Sequence, residues 1–416
     1  MKADVVVIGA GAAGLAAAAE LAAAGRSVLI LEARDRVGGR CWTRRMAGLE
    51  IPVELGAEFI HGEAGATYAL LRQARIAAVD ATLEQRYLDG RKLRRVDAFR
   101  EARRAVQKPP AMKRDISFAA FLARRRLSRK TKLFARLMVQ GFDAADPARV
   151  SAGSILQEWG EGGSLGASQP RPQGGYGALC DWLARSVVAA GARLQLNAPV
   201  RAVQWRRGSV LVHGAAFVFR AARAIVTLPL GVLQSNTVRF QPSLRSKRPA
   251  LEKLASGPVI RVAMRFRSRF WEARAPGVAF FHAPRAPFPI FWTPLPLRAP
   301  LVTAWAGGPK AVRLTGTSSA RLVRAALATV ESVLGGADGL MEAQVHDWQH
   351  DPYARGGYSY VTVGGEGARE ALGAPLQHTL YFAGEATDTQ GEAGTVAGAL
   401  QSGIRAAREL MTSAPR

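Results

Sequence analysis

Val5-Val6-Val7-Ile8-Gly9-Ala10-Gly11-Ala12-Ala13-Gly14-Leu15, with the run that follows to Leu31-Glu32, decides the fold of this chain. Lys2 to Ile8 reads as a short strand, apolar enough to be buried on both faces. Gly9 to Gly14 is a G-x-G-x-x-G, and it leads straight into a helix-forming run from Leu15 to Ala24 that Gly25 ends. Ser27 to Leu31 is a second apolar strand with Glu32 at its end. Strand, glycine turn, helix, strand and acid in this order match a mononucleotide-binding unit, the signature of a Rossmann-like α/β fold. Gly9 makes the turn, Gly11 lets the backbone approach a pyrophosphate, and Gly14 lets the helix pack on the strand. The helix N-terminus offers N–H donors and a positive dipole to phosphates. Glu32, eighteen residues past Gly14, accepts from a ribose hydroxyl and so favours FAD or NAD over NADP.

The next residues separate those two. Glu32 to Arg40 holds a second glycine turn with arginines, which a longer dinucleotide needs for its pyrophosphate and a nicotinamide dinucleotide does not. Val53 to Gly62 adds a further strand, with close backbone approach at Gly56. No second complete fingerprint occurs; Gly160 to Gly166 is glycine-rich but follows no apolar strand, so it predicts a loop and no NADPH site. Near the C-terminus, Leu380 to Glu385 reads as a strand ending in a glycine and a carboxylate. Gly394 to Ala399 opens a helix running to about Met411, whose N-terminus suits the negative charge of a reduced flavin at N1 and O2. Between Trp348 and Tyr360 lie a turn and several aromatics, which taken alone read as core.

The chain has 416 residues, enough for two domains, with 48% hydrophobic and 21% charged residues, a globular balance. Two cysteines, Cys41 and Cys180, exclude a disulfide framework and a four-ligand zinc site. No metal site is expected. The Ala-rich stretch is interrupted by Glu20 and Arg26, so no membrane span is expected. With the phosphate motif starting at Gly9, no leader is expected either, and the cytoplasm is the expected location. Oligomeric state is not legible. The net charge is +25, and residues 91–136 hold seventeen Lys or Arg against three acids. Such a face suits nucleic acid, anionic membrane or an acidic partner. The favoured reading is a solvated helical surface, in a chain that is rich in Ala and Arg throughout.

At this point a resemblance enters. The chain resembles the flavin-containing amine oxidases, the family of the monoamine, polyamine and L-amino-acid oxidases and the lysine-specific histone demethylases. It is carried by GAGAAGLAAA at 9–18, LEARDRVGGR at 31–40, ELGAEFIHG at 54–62, PQGGYGAL at 172–179 and NAPVRAV at 197–203. SGPVIRVAMRFRSRFW at 256–271, HDWQHDPYARGGYSY at 346–360 and YFAGEATDTQGEAGTVAGALQSGIRAA at 381–407 complete it. The interval from Tyr68 to Gly163 matches little. The resemblance implies a Rossmann-like FAD-binding domain of residues 1–75, 172–232 and 342–416, interleaved with an α+β substrate domain of 76–171 and 233–341. It places Gly9, Gly11, Gly14, Glu32, Arg34, Gly39 and Arg40 along the adenosine and pyrophosphate. Val200 falls on the adenine side, Gly384 and Glu385 at the ribitol, and Thr395 with Val396 at the flavin pyrimidine. Gly56, Ala57 and Trp348 fall near the ring.

Three departures from the family pattern matter. Where monoamine oxidases carry FAD on a cysteine, this chain has Gly357, so the resemblance implies non-covalent FAD. Of the two tyrosines that sandwich the amine, Tyr358 is kept and the other position is Thr395. The family's lysine beside flavin N5 falls on Arg261, which cannot shed its proton; oxidase and dehydrogenase behaviour are both left open, and the strand parity of Arg261 does not settle its face. His61, in an I-H-G, is a candidate substrate contact or a structural residue. Phe280 to Trp292 suits a pocket wall or sheet core. The implied reaction is FAD-dependent oxidation of a small amine, with hydride transfer from its α-carbon to flavin N5, an imine hydrolysed to an aldehyde, and reoxidation by O2 to H2O2. Arg261 and Tyr358 are the expected catalytic residues. Glu58, Glu63 or Glu158 could serve a polyamine's extra charges, whereas an amino acid would want an arginine clamp, and none stands out. The alternatives are a related FAD-dependent desaturase or porphyrinogen oxidase, or a flavin-bearing basic interaction protein.

Overall fold

Val5 and Val7 pack under one layer of helices and Val6 and Ile8 face the opposite core, so the strand Lys2–Ile8 is buried on both sides in the computed structural model, which describes residues 2–160, 168–337 and 339–413. The glycine-rich loop expected at Gly160 to Gly166 lies, beyond Gly160, outside the described residues. Lys2–Ile8 sits mid-sheet between the parallel strands Val28–Leu31 and Val218–Val226, and Arg193–Gln195 and Leu380–Phe382 extend the parallel pairing on either side. Antiparallel strands Ser209–His213 and Ala202–Arg206 and then Arg239–Gln241 complete an eight-stranded sheet. The helix Ala12–Ala23 follows the first strand and packs against the C-terminal helix Val396–Thr412 and the helix Gly175–Ala189. Their alanine-rich faces form one core with Leu15, Leu21, Leu183 and Leu400. At about 25 cal/mol per Å² of apolar surface removed from water, this burial is what holds the helices on the sheet.

A second, seven-stranded sheet runs Leu340–Asp347, Val259–Phe266, Leu301–Gly307, Ile290–Trp292, Phe280–His282, Gln85–Asp89 and Lys92–Val96. Its helix Ser319–Leu334 covers one face over Ile260, Val262, Met264 and Phe266. The alternate residues of the same strand, Val259, Arg261 and Ala263, face the other way. Ala263 meets Met46, Leu49, Val53 and Leu55 of the nucleotide side, so the parity left open in the sequence resolves with Arg261 turned toward the interface between the two sheets.

Sheet membership moves two of the expected domain limits. Arg239–Gln241 pairs with Ala202–Gln204 in the nucleotide sheet, and Leu254–Gly257 pairs with Tyr358–Val361, so the limit expected at 232/233 shifts past Gly257. Leu340–Asp347 pairs along Val259–Phe266, so the limit expected at 341/342 shifts to Trp348. Strand hydrogen bonding, which composition does not reveal, sets both.

Residues 91–136 form one arm of a hairpin and the helices Ala98–Val106, Phe118–Arg124 and Arg129–Gly141. Fifteen of the seventeen cations there are exposed, while Phe118, Phe121 and Phe134 are buried in a common core. The aromatics face inward and the charges outward, as in a solvated face; nothing but charge points to nucleic acid or membrane. Among the described residues no helix is long and apolar enough to cross a membrane, and no group of three or more His, Cys, Asp or Glu is placed to hold a metal.

Candidate functional site

The first turn of the helix Ala12–Ala23 opens into a cavity of about 2190 Å³ that reaches from the nucleotide sheet to the second sheet. That helix has no side-chain cap and no acid in its first turn, so its free N–H groups are left for a ligand. Gly9 has φ +107°, a conformation suited to glycine. A Cβ on Gly14 would lie 1.9 Å from the Gly9 carbonyl oxygen; Gly14 therefore acts by letting helix and strand touch, and it does not reach the cavity wall. This corrects its expected place along the dinucleotide. All the other expected flavin and substrate residues, Gly9, Gly11, Glu32, Arg34, Gly39, Arg40, Gly56, Ala57, His61, Val200, Arg261, Trp348, Tyr358, Gly384, Glu385, Thr395 and Val396, do line the cavity.

Glu32 is buried at the end of its strand, accepting from Ala10 N at 2.8 Å and Arg34 N at 2.9 Å. Arg34 reaches across the fold to Asp351 at 2.7 Å, whose other oxygen meets His346 Nε2 at 3.0 Å. Burial alone would raise the Asp351 carboxyl, but the hydrogen bonds of His346 and Arg34 and the guanidinium charge hold it well below the usual carboxylate range. Arg40 donates to Gly357 O at 2.6 Å and to Glu385 at 2.9 Å. Ser359 Oγ donates to Glu385 at 2.6 Å, and Arg369 donates to Ser359 Oγ at 2.7 Å. Burial opposes ionisation of Glu385, and the charges of Arg40 and Arg369 overcome it. A Cβ on Gly56 would come within 1.8 Å of Arg40 O, so the two loops are in backbone contact.

At the far end Tyr358 points its hydroxyl at the end of the helix Arg129–Gly141, donating to Phe142 O at 2.5 Å. Thr395 caps the helix Val396–Thr412: its hydroxyl donates to Glu392 O at 2.6 Å and accepts from Gly398 N at 3.1 Å. Part of that helix N-terminus is thus satisfied from within, and the expected substrate contact of Thr395 is confined to what its hydroxyl has left. His61 stands edge-on to Phe142, 5.0 Å between centroids, with burial lowering its pKa to about 4, so the ring is neutral. Arg261 is 1% exposed; it donates to Gly56 O at 2.7 Å and to Glu58, and its guanidinium lies over Trp292. Its Nε–H is buried without a partner. A Cβ on Gly357 would lie 2.6 Å from Val259 Cγ2, which leaves no room for a cysteine in this conformation.

The charge of the wall is the reverse of the chain's. Among the described residues eleven Asp and Glu side chains and six Arg line the cavity, and no Lys does. Of the expected acids, Glu58 is consumed by arginines, Glu63 is exposed, and Glu158 is placed beside Asp143. Asp143 is 6% exposed and, among the described residues, neither carboxylate oxygen makes a hydrogen bond of good geometry. Burial first, then the charge of Glu158, pushes its carboxyl well above the usual range. Burial and the Asp143, Glu158 and Glu385 carboxylates likewise raise the Tyr358 phenol, which places the acidic pair near that ring. Sequence reasoning missed Asp143: it follows a helix end in the interval without family motifs, and no local pattern marks it.

The family model described as flavin containing amine oxidoreductase matches residues 12–411. A lysine-specific histone demethylase 1 homolog 2 of Arabidopsis thaliana is 28% identical over 98% of this chain and 58% of its own length. Polyamine oxidase 4 of Oryza sativa subsp. japonica is 28% identical over 98% of this chain and 88% of its own. The chain spans little more than half the length of most of the demethylases it matches. A solved structure of putrescine oxidase with putrescine bound superposes with a TM-score of 0.84 at 22% identity, covering 99% of both chains; at that identity the likeness shows the fold.

Proposed function

Because this chain belongs to the flavin-containing amine oxidoreductase family, we propose that it binds FAD without a covalent link and oxidises an amine that carries a second cationic group. The observation that carries the substrate class is the acidic pair Asp143 and Glu158 on the cavity wall, two buried carboxyls side by side, with neither oxygen of Asp143 in a hydrogen bond of good geometry among the described residues. Ionising two adjacent buried carboxyls is costly, and an ammonium group is the partner that relieves that cost. The dinucleotide would lie on the uncapped turn at Gly11 to Ala13, with Glu32 at a ribose and Arg40 and Glu385 beyond the pyrophosphate. The residues fit the group: an open helix N-terminus, a cavity larger than the several hundred Å³ or so that a lone small ligand needs, and an orphaned Arg261 Nε–H. FAD held there would supply a two-electron oxidant for the amine carbon–nitrogen bond, giving an imine that water hydrolyses to an aldehyde and ammonia or a smaller amine, with O2 as the final acceptor.

The chain's own part is positioning. Tyr358 presents its ring along the cavity with its hydroxyl tied to Phe142 O, so the ring cannot swing. Asp143 and Glu158 hold the distal ammonium and so set how far the reacting carbon lies from the ring. Among the described residues the arginines at this end are engaged, Arg261 by Glu58 and Arg369 by Ser359; this supports an amine over an amino acid. The desaturase, porphyrinogen-oxidase and interaction-protein readings are not favoured, because a neutral or anionic substrate offers nothing to unpartnered carboxylates. Anaerobic titration of FAD-loaded protein with a diamine, a monoamine of the same length and an amino acid tests the reading. Flavin bleaching at the lowest concentration with the diamine is expected. Bleaching by the amino acid alone, or by no amine, overturns it.

A further inference from the structure

Glu58 stands on the loop after Glu54 and reaches into the interface between the two sheets. Three donors converge on its carboxylate. Arg261 Nη2 meets Oε2, Arg171 Nε meets Oε1 at 2.6 Å, and Trp292 Nε1 lies 3.1 Å from both oxygens. Arg171 is further fixed by Leu295 O at 3.1 Å and stacks over Phe59. The side chains of Arg261 and Arg171 are 2% and 11% exposed. The arrangement is a buried Arg–Glu–Arg triad, costly to desolvate and not required for stability on general grounds, since apolar replacements of such triads are often neutral or better. Its geometry has another consequence. With Nη1 on Gly56 O and Nη2 on Glu58, the guanidinium of Arg261 has one orientation, and that orientation leaves its Nε–H buried without a partner among the described residues, on a residue that lines the cavity.

We propose that Glu58 is a positioning residue for Arg261: it fixes the guanidinium at the cavity wall and reduces the charge of the Arg261–Arg171 pair from two positive charges to a net one, thereby setting the reduction potential of the flavin. The proposal rests on the flavin reading above. Burial works against ionisation of Glu58, and the two guanidinium charges reverse that, so the triad carries a net positive charge at neutral pH. Reduction adds negative charge to the flavin ring, so its equilibrium responds to any change of charge fixed nearby.

The test is the midpoint potential of FAD-loaded protein, measured by dye-equilibrated reduction, for the parent, Glu58→Gln, Glu58→Asp and Arg171→Gln. Glu58→Gln keeps the size of the side chain and removes its charge. It is expected to move the reduction equilibrium about tenfold toward reduced flavin, about 30 mV for a two-electron couple. Arg171→Gln removes a positive charge and is expected to move it the other way, while Glu58→Asp stays near the parent. A residue that only braces the fold would give shifts of one sign or none, and either result overturns the proposal. If Glu58→Gln does not fold, the sign of the Arg171→Gln shift decides alone, a negative shift supporting and no shift overturning. Parent protein that takes up no FAD sinks the flavin reading, and this inference with it; parent protein that takes up FAD with potentials insensitive to both variants sinks this inference only.

Discussion

Replacing Asp143 by asparagine removes one formal charge from the cavity and leaves the side chain's size unchanged. Two consequences follow with opposite signs. For the free protein, burial and Glu158 make ionised Asp143 the disfavoured form, so its folded pKa lies above its unfolded one. An acid shifted that way favours the fold fully below its unfolded pKa and loses that contribution as pH rises through the folded value. At neutral pH Asp143→Asn is therefore expected to hold or raise Tm. For a bound diamine, a carboxylate about 4 Å from an ammonium is worth about 4 kcal/mol at an effective dielectric constant of about 20. Desolvation of the ammonium, and the acid Glu158 that remains, bring the expected loss to about 2–3 kcal/mol. That is about thirty- to two-hundredfold in kcat/KM. A monoamine of the same length has no distal charge, and its kcat/KM is expected to change by about threefold at most. The assay is steady-state turnover on both substrates with Tm measured in parallel. Equal losses on diamine and monoamine would refute the reasoning, and so would a fall in Tm with selectivity intact.

Three further outcomes are expected. Gly56→Ala puts a methyl group within 1.8 Å of Arg40 O; the loops must part, at about 1–3 kcal/mol or more, and FAD retained after gel filtration should drop together with Tm. His282 is 4% exposed, bonded to Gln85 at 3.0 Å, and burial lowers its pKa to about 4. Its lowered pKa means stability is lost as pH falls from about 6.5 toward about 4, on the order of 3 kcal/mol, and His282→Gln should flatten that limb in urea unfolding across pH. Thr395→Val removes the hydroxyl that caps Val396–Thr412, at about 0.5–2 kcal/mol, whereas Thr395→Ser should keep Tm near that of the parent.

Much of this molecule is written in contiguous residues. The strand Lys2–Ile8, the turn at Gly9 to Gly14 and the strand ending at Glu32 could be read because each depends on neighbours within a few positions: an unbroken apolar run, a glycine where a Cβ would strike Gly9 O, an acid at a strand end. The C-terminal strand and helix were legible for the same reason, to within two or three residues at each end. The family motifs extended this to seventeen residues that line the cavity.

Other features were decided only when the chain closed on itself. Arg34 finds Asp351 across 317 positions, Arg40 finds Glu385 across 345, and Arg261 finds Glu58 across 203. A motif can name both members of such a pair, but the partnership depends on the register in which strands meet, which no local spacing encodes. The face of Arg261 was undecidable from alternation because both faces of its strand are covered. Asp143 was invisible because an aspartate after a helix reads as an ordinary loop residue. Only the packing of Arg129–Gly141 against the end of Tyr358 turns it into a buried carboxylate in want of a partner. The sequence determined the scaffold and the cradle for a dinucleotide, since those are built from short-range geometry; tertiary packing decided the charge and shape of the chamber beyond it, because charges far apart in the chain acquire their meaning from what is buried beside them.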